Sequence, residues 1–173
     1  GTLLVQDDAG VEAILNAISR RAAFHSEDEY RLEERKHLRI PGDPSSHPVW
    51  RDVEVAVRCT NRLIALARKT GKRIHVLHVT TGEEMEMLAA NKDIATCEVT
   101  PQHLTLVGPE DYVRLKGYAQ MNPPIRDAHH RALPAVRAAR HDAAKTRPGS
   151  RCGPWQRHRA RGVERSRQRI WLG

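Results

Sequence analysis

The sequence predicts an α/β fold in which parallel strands alternate with helices. Two observations predict it: short apolar runs that stop abruptly at polar residues, and longer stretches between them whose apolar residues recur at helical spacing. Strand, turn and helix follow one another in this order within residues 1–130, which favours a parallel sheet or barrel. With 173 residues, of which 39% are hydrophobic, the chain can form one domain with its own core.

The predicted strands are the apolar runs at residues 22–24, 73–79 and 94–99. The middle run is rich in β-branched side chains, which favour a pleated conformation. Each run gives way to polar residues, as a buried parallel strand does where it leaves the sheet.

Three helices are predicted beside these strands. The first covers about residues 10–20, the second lies between an N-terminal cap at Asp52 and a closing glycine at Gly71, and the third runs from 83 to about 91. The proline-containing stretch before Asp52 and the segment from 100 to 126 are predicted to be mostly irregular.

Positive charge is concentrated late in the sequence. The whole chain carries a net charge of +8, but residues 131–173 hold eleven arginines and one lysine against two acidic residues. Residues 1–130 hold 17 basic and 19 acidic residues. We therefore divide the chain into a folded domain, residues 1–130, and a basic tail, residues 131–173, which we expect to be disordered or the product of a reading-frame change.

Composition also bounds the cellular setting. Cys59, Cys97 and Cys152 are an odd number and widely separated, so reduced thiols are expected. Neither a long apolar run nor a secretory leader is evident in the sequence. We therefore expect a cytoplasmic protein without a membrane partner.

Histidines follow each predicted strand. His25, His78 and His103 lie at or just beyond the strand ends, where the active sites of parallel α/β folds collect. Neutral imidazole is a good zinc ligand, because one ring nitrogen can bind the metal while the other bonds a neighbouring acceptor. One histidine per strand would build a metal site from separate strand-helix units, although each histidine also has an ordinary polar role open to it.

Four motifs occur in order: His-Ser-Glu-Asp at 25–28, His-Val-Leu-His-Val-Thr-Thr at 75–81, Glu-Val-Thr-Pro-Gln-His-Leu at 98–104 and Met-Asn-Pro-Pro-Ile-Arg at 121–126. Together they resemble the strand-end motifs of the dihydroorotases, cyclic amidohydrolases of the amidohydrolase superfamily. The resemblance runs from about residue 1 to 131. Allantoinases and hydantoinases share parts of it, so hydrolysis of a related cyclic amide stays an alternative.

The resemblance implies a (β/α)8 TIM-type barrel, of which this chain would supply about strands 5 to 7. It implies a site with one or two zinc ions that interconverts dihydroorotate and carbamoyl aspartate in pyrimidine biosynthesis. Carried over by motif, His25 and His78 are zinc ligands and Asn122 holds the pyrimidine ring. His75 is expected on the strand outside the ligand set, and His103 beside the pocket without binding metal. Glu27 and Asp28 either orient His25 or cap the following turn.

Other family motifs are absent from the sequence. The family's His-x-His pair, its bridging lysine or aspartate, and its Asp-His-Ala-Pro-His motif with the proton-shuttling aspartate have no counterpart, so the catalytic residue is unknown. We therefore expect little dihydroorotase activity from the chain as given.

Two further classes of function stay open. The chain could be a nonenzymatic dihydroorotase-like subunit, acting in a homo-oligomer or with aspartate transcarbamoylase. It could also bind nucleic acid through the basic tail, where Trp155 and Trp171 stand among the arginines. An accidental or solvated cationic tail is the simpler interpretation, so we expect a small-molecule substrate rather than a nucleic-acid partner.

Overall fold

The computed structural model describes Val5 and residues 7–131. In this part of the chain three parallel strands form one sheet in the order β1, β2, β3. The register aligns Ala22 with Ile74 and Ala95, and Phe24 with Val76 and Cys97. The predicted α/β class with parallel strands is therefore confirmed.

The elements in chain order are α1 (Asp8–Ala17), β1 (Ala22–Phe24), α2 (Glu29–Arg35), α3 (His47–Trp50), α4 (Val53–Thr70), β2 (Ile74–Val76), α5 (Gly82–Ala90), β3 (Ala95–Cys97), α6 (Pro101–Thr105) and α7 (Glu110–Leu115). Short 3₁₀ turns occupy Lys36–Leu38, Pro44–Ser46 and Lys116–Ala119.

The second and third strands are shorter than the sequence predicted. Hydrogen bonding nevertheless continues past their ends: Leu77 N donates to the Phe24 carbonyl at 3.0 Å, and Val79 N donates to the Glu98 carbonyl at 2.9 Å. These single bonds tie the three strand ends together where the polar residues begin.

Helix α4 has the ends that the sequence predicted. The Asp52 carboxylate accepts a hydrogen bond from Val55 N at 3.2 Å, and Gly71 closes the helix in the left-handed region at φ 66°. The predicted helix at 83–91 is also confirmed as α5, with Thr81 as its N-terminal cap. The first helix begins earlier than predicted, at Asp8, because Asp7 caps it, and it ends at Ala17, before the extended residue Ile18.

The prediction of mostly irregular chain before Asp52 and from 100 to 126 was wrong in part, because α2, α3, α6 and α7 lie there. These helices are four to seven residues long and carry no apolar stripe that a sequence pattern could reveal. Local capping starts two of them: Asp28 caps α2, and Pro101 occupies the first turn of α6.

The main core lies between the sheet and helices α1, α4 and α5. Its fully buried members include Leu15, Ala67, Ile74 and Val76. A smaller cluster gathers Tyr112, Ala119 and Ile125 beside α7. Because the three strands are parallel, the polar residues that follow them all lie at the carboxyl end of the sheet.

Other predictions from the sequence concern the thiols, the membrane and the tail. Cys59 and Cys97 are free cysteines. Among the described residues no helix has both the length and the apolar character needed to cross a bilayer. Apart from Arg131, the predicted tail of residues 131–173 lies outside the described residues, as does Cys152.

Candidate functional site

Two histidines meet at the carboxyl end of the sheet. His25 directly follows β1, and His78 lies two residues beyond β2. Nδ1 of His25 and Nε2 of His78 are 3.1 Å apart, and the two rings stand edge to face with centroids 4.8 Å apart. His78 has a φ of 36°, an unusual backbone conformation for a residue other than glycine. The strand ends thus bring together the two residues that the sequence assigned to zinc.

Glu27 orients the ring of His25. Its Oε2 is 2.8 Å from Nε2 of His25, and the same oxygen accepts a hydrogen bond from Nη1 of Arg51. The carboxylate side chain has no solvent exposure. Because Nε2 of His25 donates to this carboxylate, the lone pair of a neutral His25 ring lies on Nδ1, the nitrogen that faces His78.

Asp28 has the other role that the sequence offered for this pair of acids. Its carboxylate caps α2 by accepting from Arg31 N at 2.9 Å, and it pairs with Nη1 of Arg62 at 2.6 Å. The alternatives for the two acids are therefore divided between them: Glu27 orients the histidine, and Asp28 caps the helix.

His78 is held in its neutral form. Burial lowers the pKa of His78 to about 4, and the neighbouring rings of His25 and His103 add to this effect. A neutral ring can offer a lone pair to a cation at neutral pH without first losing a proton.

The other two histidines of the motifs are engaged elsewhere. The His103 ring is buried, with Nε2 donating to the Pro123 carbonyl at 2.9 Å and Nδ1 2.8 Å from the Thr100 hydroxyl. His75 lies on β2, with Nδ1 2.8 Å from the Thr96 hydroxyl. Both ring nitrogens of His103 thus have protein partners, and its expected place outside the ligand set stays a prediction.

Asn122 lies in the segment that follows α7. Its side chain is exposed, and it lies beside the buried ring of His47. Nε2 of His47 donates to the Met121 carbonyl at 3.0 Å, which fixes this segment against α3. The proposed contact of Asn122 with a substrate ring stays a prediction.

The sequence did not indicate a buried polar network that runs from Ser26, beside His25, to Glu84. The Glu84 carboxylate is 1% exposed and accepts hydrogen bonds from the hydroxyls of Thr60 at 2.8 Å and Thr81 at 3.0 Å. The Thr60 hydroxyl also bonds Ser26, the neighbour of His25, at 2.7 Å. Burial raises the pKa of Glu84. An acid in the first turn of a helix is ordinarily read as a capping residue, and only the fold shows that this one is buried.

Arg126 is the second residue whose place the sequence did not indicate. It is 6% exposed, and its guanidinium donates to the Thr80 hydroxyl through Nε at 3.2 Å and to the Arg51 carbonyl through Nη1 at 2.5 Å. Burial lowers its pKa, while Glu84 and Glu27 favour its charged form. Arg126 stands in a quoted motif, but no role was assigned to it.

The paired histidines fit one side of a zinc site. Zn–N distances of about 2.0–2.1 Å in a tetrahedral site place two ligand nitrogens about 3.3 Å apart. The 3.1 Å between Nδ1 of His25 and Nε2 of His78 is close to that value, and Glu27 supplies the outer carboxylate common around such histidines. No group of three or more potential metal ligands was found among the described residues.

The chain is similar in sequence to curated dihydroorotases. It is 30% identical to the dihydroorotase of Methanosarcina acetivorans over 142 residues, which covers 75% of this chain and 30% of that protein. It is 33% identical to the dihydroorotase of Halobacterium salinarum over 135 residues, which covers 73% of this chain and 31% of that protein. The chain spans about a third of the length of these curated relatives. No family model matches the chain.

The fold is similar to part of a solved hydantoinase structure. The L-hydantoinase (dihydropyrimidinase) from Arthrobacter aurescens matches 78% of this chain and 32% of its own chain, with a TM-score of 0.71 and 22% sequence identity. A second hydantoinase structure, a D-hydantoinase, matches with a TM-score of 0.67 and 23% identity. At these identities the likeness concerns the fold, and it agrees with the barrel architecture that the motifs implied.

Proposed function

The chain is related to part of the dihydroorotases in sequence and to part of the hydantoinases in fold, and we propose that it supplies one side of the active site of a zinc-dependent cyclic amidohydrolase. The observation that carries this proposal is the 3.1 Å approach of Nδ1 of His25 to Nε2 of His78. In this proposal its strands correspond to about strands 5 to 7 of a (β/α)8 barrel.

His25 and His78 would hold the metal. When bound, zinc lowers the pKa of a coordinated water toward 7 and polarises a carbonyl oxygen. Glu27 would keep Nδ1 of His25 directed at the metal, and the low pKa of His78 would keep its ring ready to bind. Because catalytic zinc sites normally use three protein ligands, two histidines alone are expected to bind zinc weakly and to give little or no turnover.

Zinc binding by the 173-residue chain tests the site. His25→Ala or His78→Ala should weaken zinc binding at least about tenfold, measured by competition with a coloured chelator. His37→Ala is the matched control, because His37 is an exposed histidine that bonds the Glu34 carbonyl away from the site. Equal affinities for the wild type, His78→Ala and His37→Ala would contradict the proposed metal site.

Dihydroorotate is the substrate that we propose, because the sequence relatives are dihydroorotases. Asn122, exposed beside His47, would hold the pyrimidine ring. With zinc present, the NMR lines of dihydroorotate should broaden on addition of the chain, and Asn122→Ala should abolish the broadening. Equal broadening of hydantoin or allantoin would show that the ring is not selected. The alternative functions predict a different partner: aspartate transcarbamoylase, a second copy of the chain or a nucleic acid. None of these is present in the experiment with dihydroorotate.

A further inference from the structure

Arg126 bonds the segment that carries His78 and also Arg51, whose side chain reaches the carboxylate beside His25. Through Nε it donates to the hydroxyl of Thr80, which is two residues beyond His78. The Thr80 backbone N–H lies 3.4 Å from a Glu84 carboxylate oxygen. One arm of the guanidinium therefore fixes the end of the His78 segment.

The other arm leads to His25. Nη1 of Arg126 donates to the backbone carbonyl of Arg51, and the Arg51 side chain donates to Glu27. Glu27 in turn accepts from Nε2 of His25 at 2.8 Å. Hydrogen bonds joined through the covalent structure of Arg51 therefore connect Arg126 to the His25 ring, although residues 51 and 126 are 75 positions apart in sequence.

The burial of Arg126 shows that these contacts are formed away from water. A guanidinium that is 6% exposed costs several kcal/mol to bury unless its donors and charge are compensated. Glu84 and Glu27 favour its charge, and Thr80 and Arg51 accept from Nε and Nη1, while the buried Nη2 has no hydrogen-bond partner among the described residues. A planar group with donors in fixed directions can hold two acceptors at a set separation, which a lysine ammonium cannot do in the same way.

We propose that Arg126 is a positioning residue that sets the separation of the His25 and His78 rings, because it bonds Thr80 in the His78 segment and the backbone of Arg51, which holds Glu27 beside His25. This inference rests on the proposed metal site for its consequence, since the ring separation decides whether both nitrogens reach one ion. The hydrogen bonds of Arg126 involve protein atoms alone, so their effect on the ring separation can be measured in zinc-free protein.

The test compares three variants of the full 173-residue chain. Arg126→Met removes both arms, Arg126→Lys keeps the charge without the planar fork, and Thr80→Val removes only the acceptor near His78 at nearly constant volume. Arg114→Met is the control, because Arg114 is an exposed arginine whose partner is Asp111 on the same helix. Circular dichroism of each variant shows whether it is folded.

Two measurements are made on each variant. The first is the NMR cross-relaxation between the His25 and His78 rings in zinc-free, histidine-labelled protein, which reports their separation. The second is zinc affinity. We expect Arg126→Met and Arg126→Lys to lose the cross-relaxation and to weaken zinc binding roughly 10- to 100-fold, as removal of an outer-shell partner does. Thr80→Val should have a smaller effect in the same direction, and Arg114→Met none.

Several outcomes would contradict the proposed positioning role of Arg126. One is a folded Arg126→Met with wild-type cross-relaxation and zinc affinity. Another is full recovery of both by Arg126→Lys, which would assign the effect to charge alone. If both Arg126 variants are unfolded, Thr80→Val decides, and unchanged ring contact in that variant contradicts the proposal. If the wild type binds no zinc, the proposed function fails. The cross-relaxation in zinc-free protein still tests whether Arg126 sets the separation of the two rings.

Discussion

The helix-packed side of the sheet and its carboxyl end are built in different ways. On the helix-packed side, residues such as Ile74 and Val76 are fully buried among many apolar neighbours from α1, α4 and α5. At the carboxyl end, single side chains from distant positions make individual directed bonds, such as Arg126 to Thr80 and Arg51 to Glu27. The first region is stabilised by buried apolar area and close packing, and the second by hydrogen bonds of defined direction. Substitutions in the first should therefore act on the free energy of unfolding, and substitutions in the second on the positions of the histidine rings.

The largest expected effect falls on the helix-packed side. Ile74→Ala removes buried methyl groups from the middle strand, and we expect the free energy of unfolding to fall by about 2–4 kcal/mol in urea denaturation. Ile40→Ala removes the same atoms from a residue that is 58% exposed, and should change stability by less than about 0.5 kcal/mol. Similar losses in the two variants would show that the helix-packed side is not the principal core.

The helix-packed side could be predicted from the sequence because the signals that define it lie within short stretches of the chain. Apolar periodicity located α4, and the residues that cap it, Asp52 and Gly71, stand in the printed sequence as recognisable end signals. Helix α2 escaped prediction because seven residues with one buried leucine do not make a periodic pattern.

The carboxyl end could be predicted only in part. Parallel strand ends and the family resemblance together anticipated that His25 and His78 would lie close to each other. The bridging role of Arg126 could not be anticipated, because it depends on contacts with residues 46 and 75 positions away and on the direction of one guanidinium. Buried polar bonds of this kind have no periodicity in sequence, and in the printed sequence Glu84 resembles an ordinary helix-capping acid.

An intermediate effect is expected from pH. Burial lowers the pKa of His78 to about 4, whereas an unfolded histidine titrates near 6.5, so the unfolded chain binds more protons between these values. Stability should therefore fall as the pH drops below 6.5. Between pH 7 and pH 5 we expect His78 to account for a loss of about 1–2 kcal/mol.

Urea denaturation in the presence of a metal chelator measures this loss. His78→Asn should show a smaller decrease between the two pH values than the wild type, whatever its stability at pH 7. Depressed carboxyl pKa values, such as that of Asp52, matter at lower pH and do not contribute in this window. Equal decreases in the wild type and in His78→Asn would contradict a lowered pKa of His78 in the folded protein.

The smallest expected effect tests whether the end of α4 depends on backbone conformation alone. Gly71 has a φ of 66°, and a side-chain carbon added there would meet no atom within 4 Å. Gly71→Ala should therefore cost about 1 kcal/mol in urea denaturation purely because an L-residue is strained in the left-handed region. Gly117 has equally open surroundings but no positive φ, so Gly117→Ala is a matched control that should be neutral or slightly stabilising. Equal effects of the two substitutions would show that the left-handed conformation does not explain why glycine stands at the end of α4.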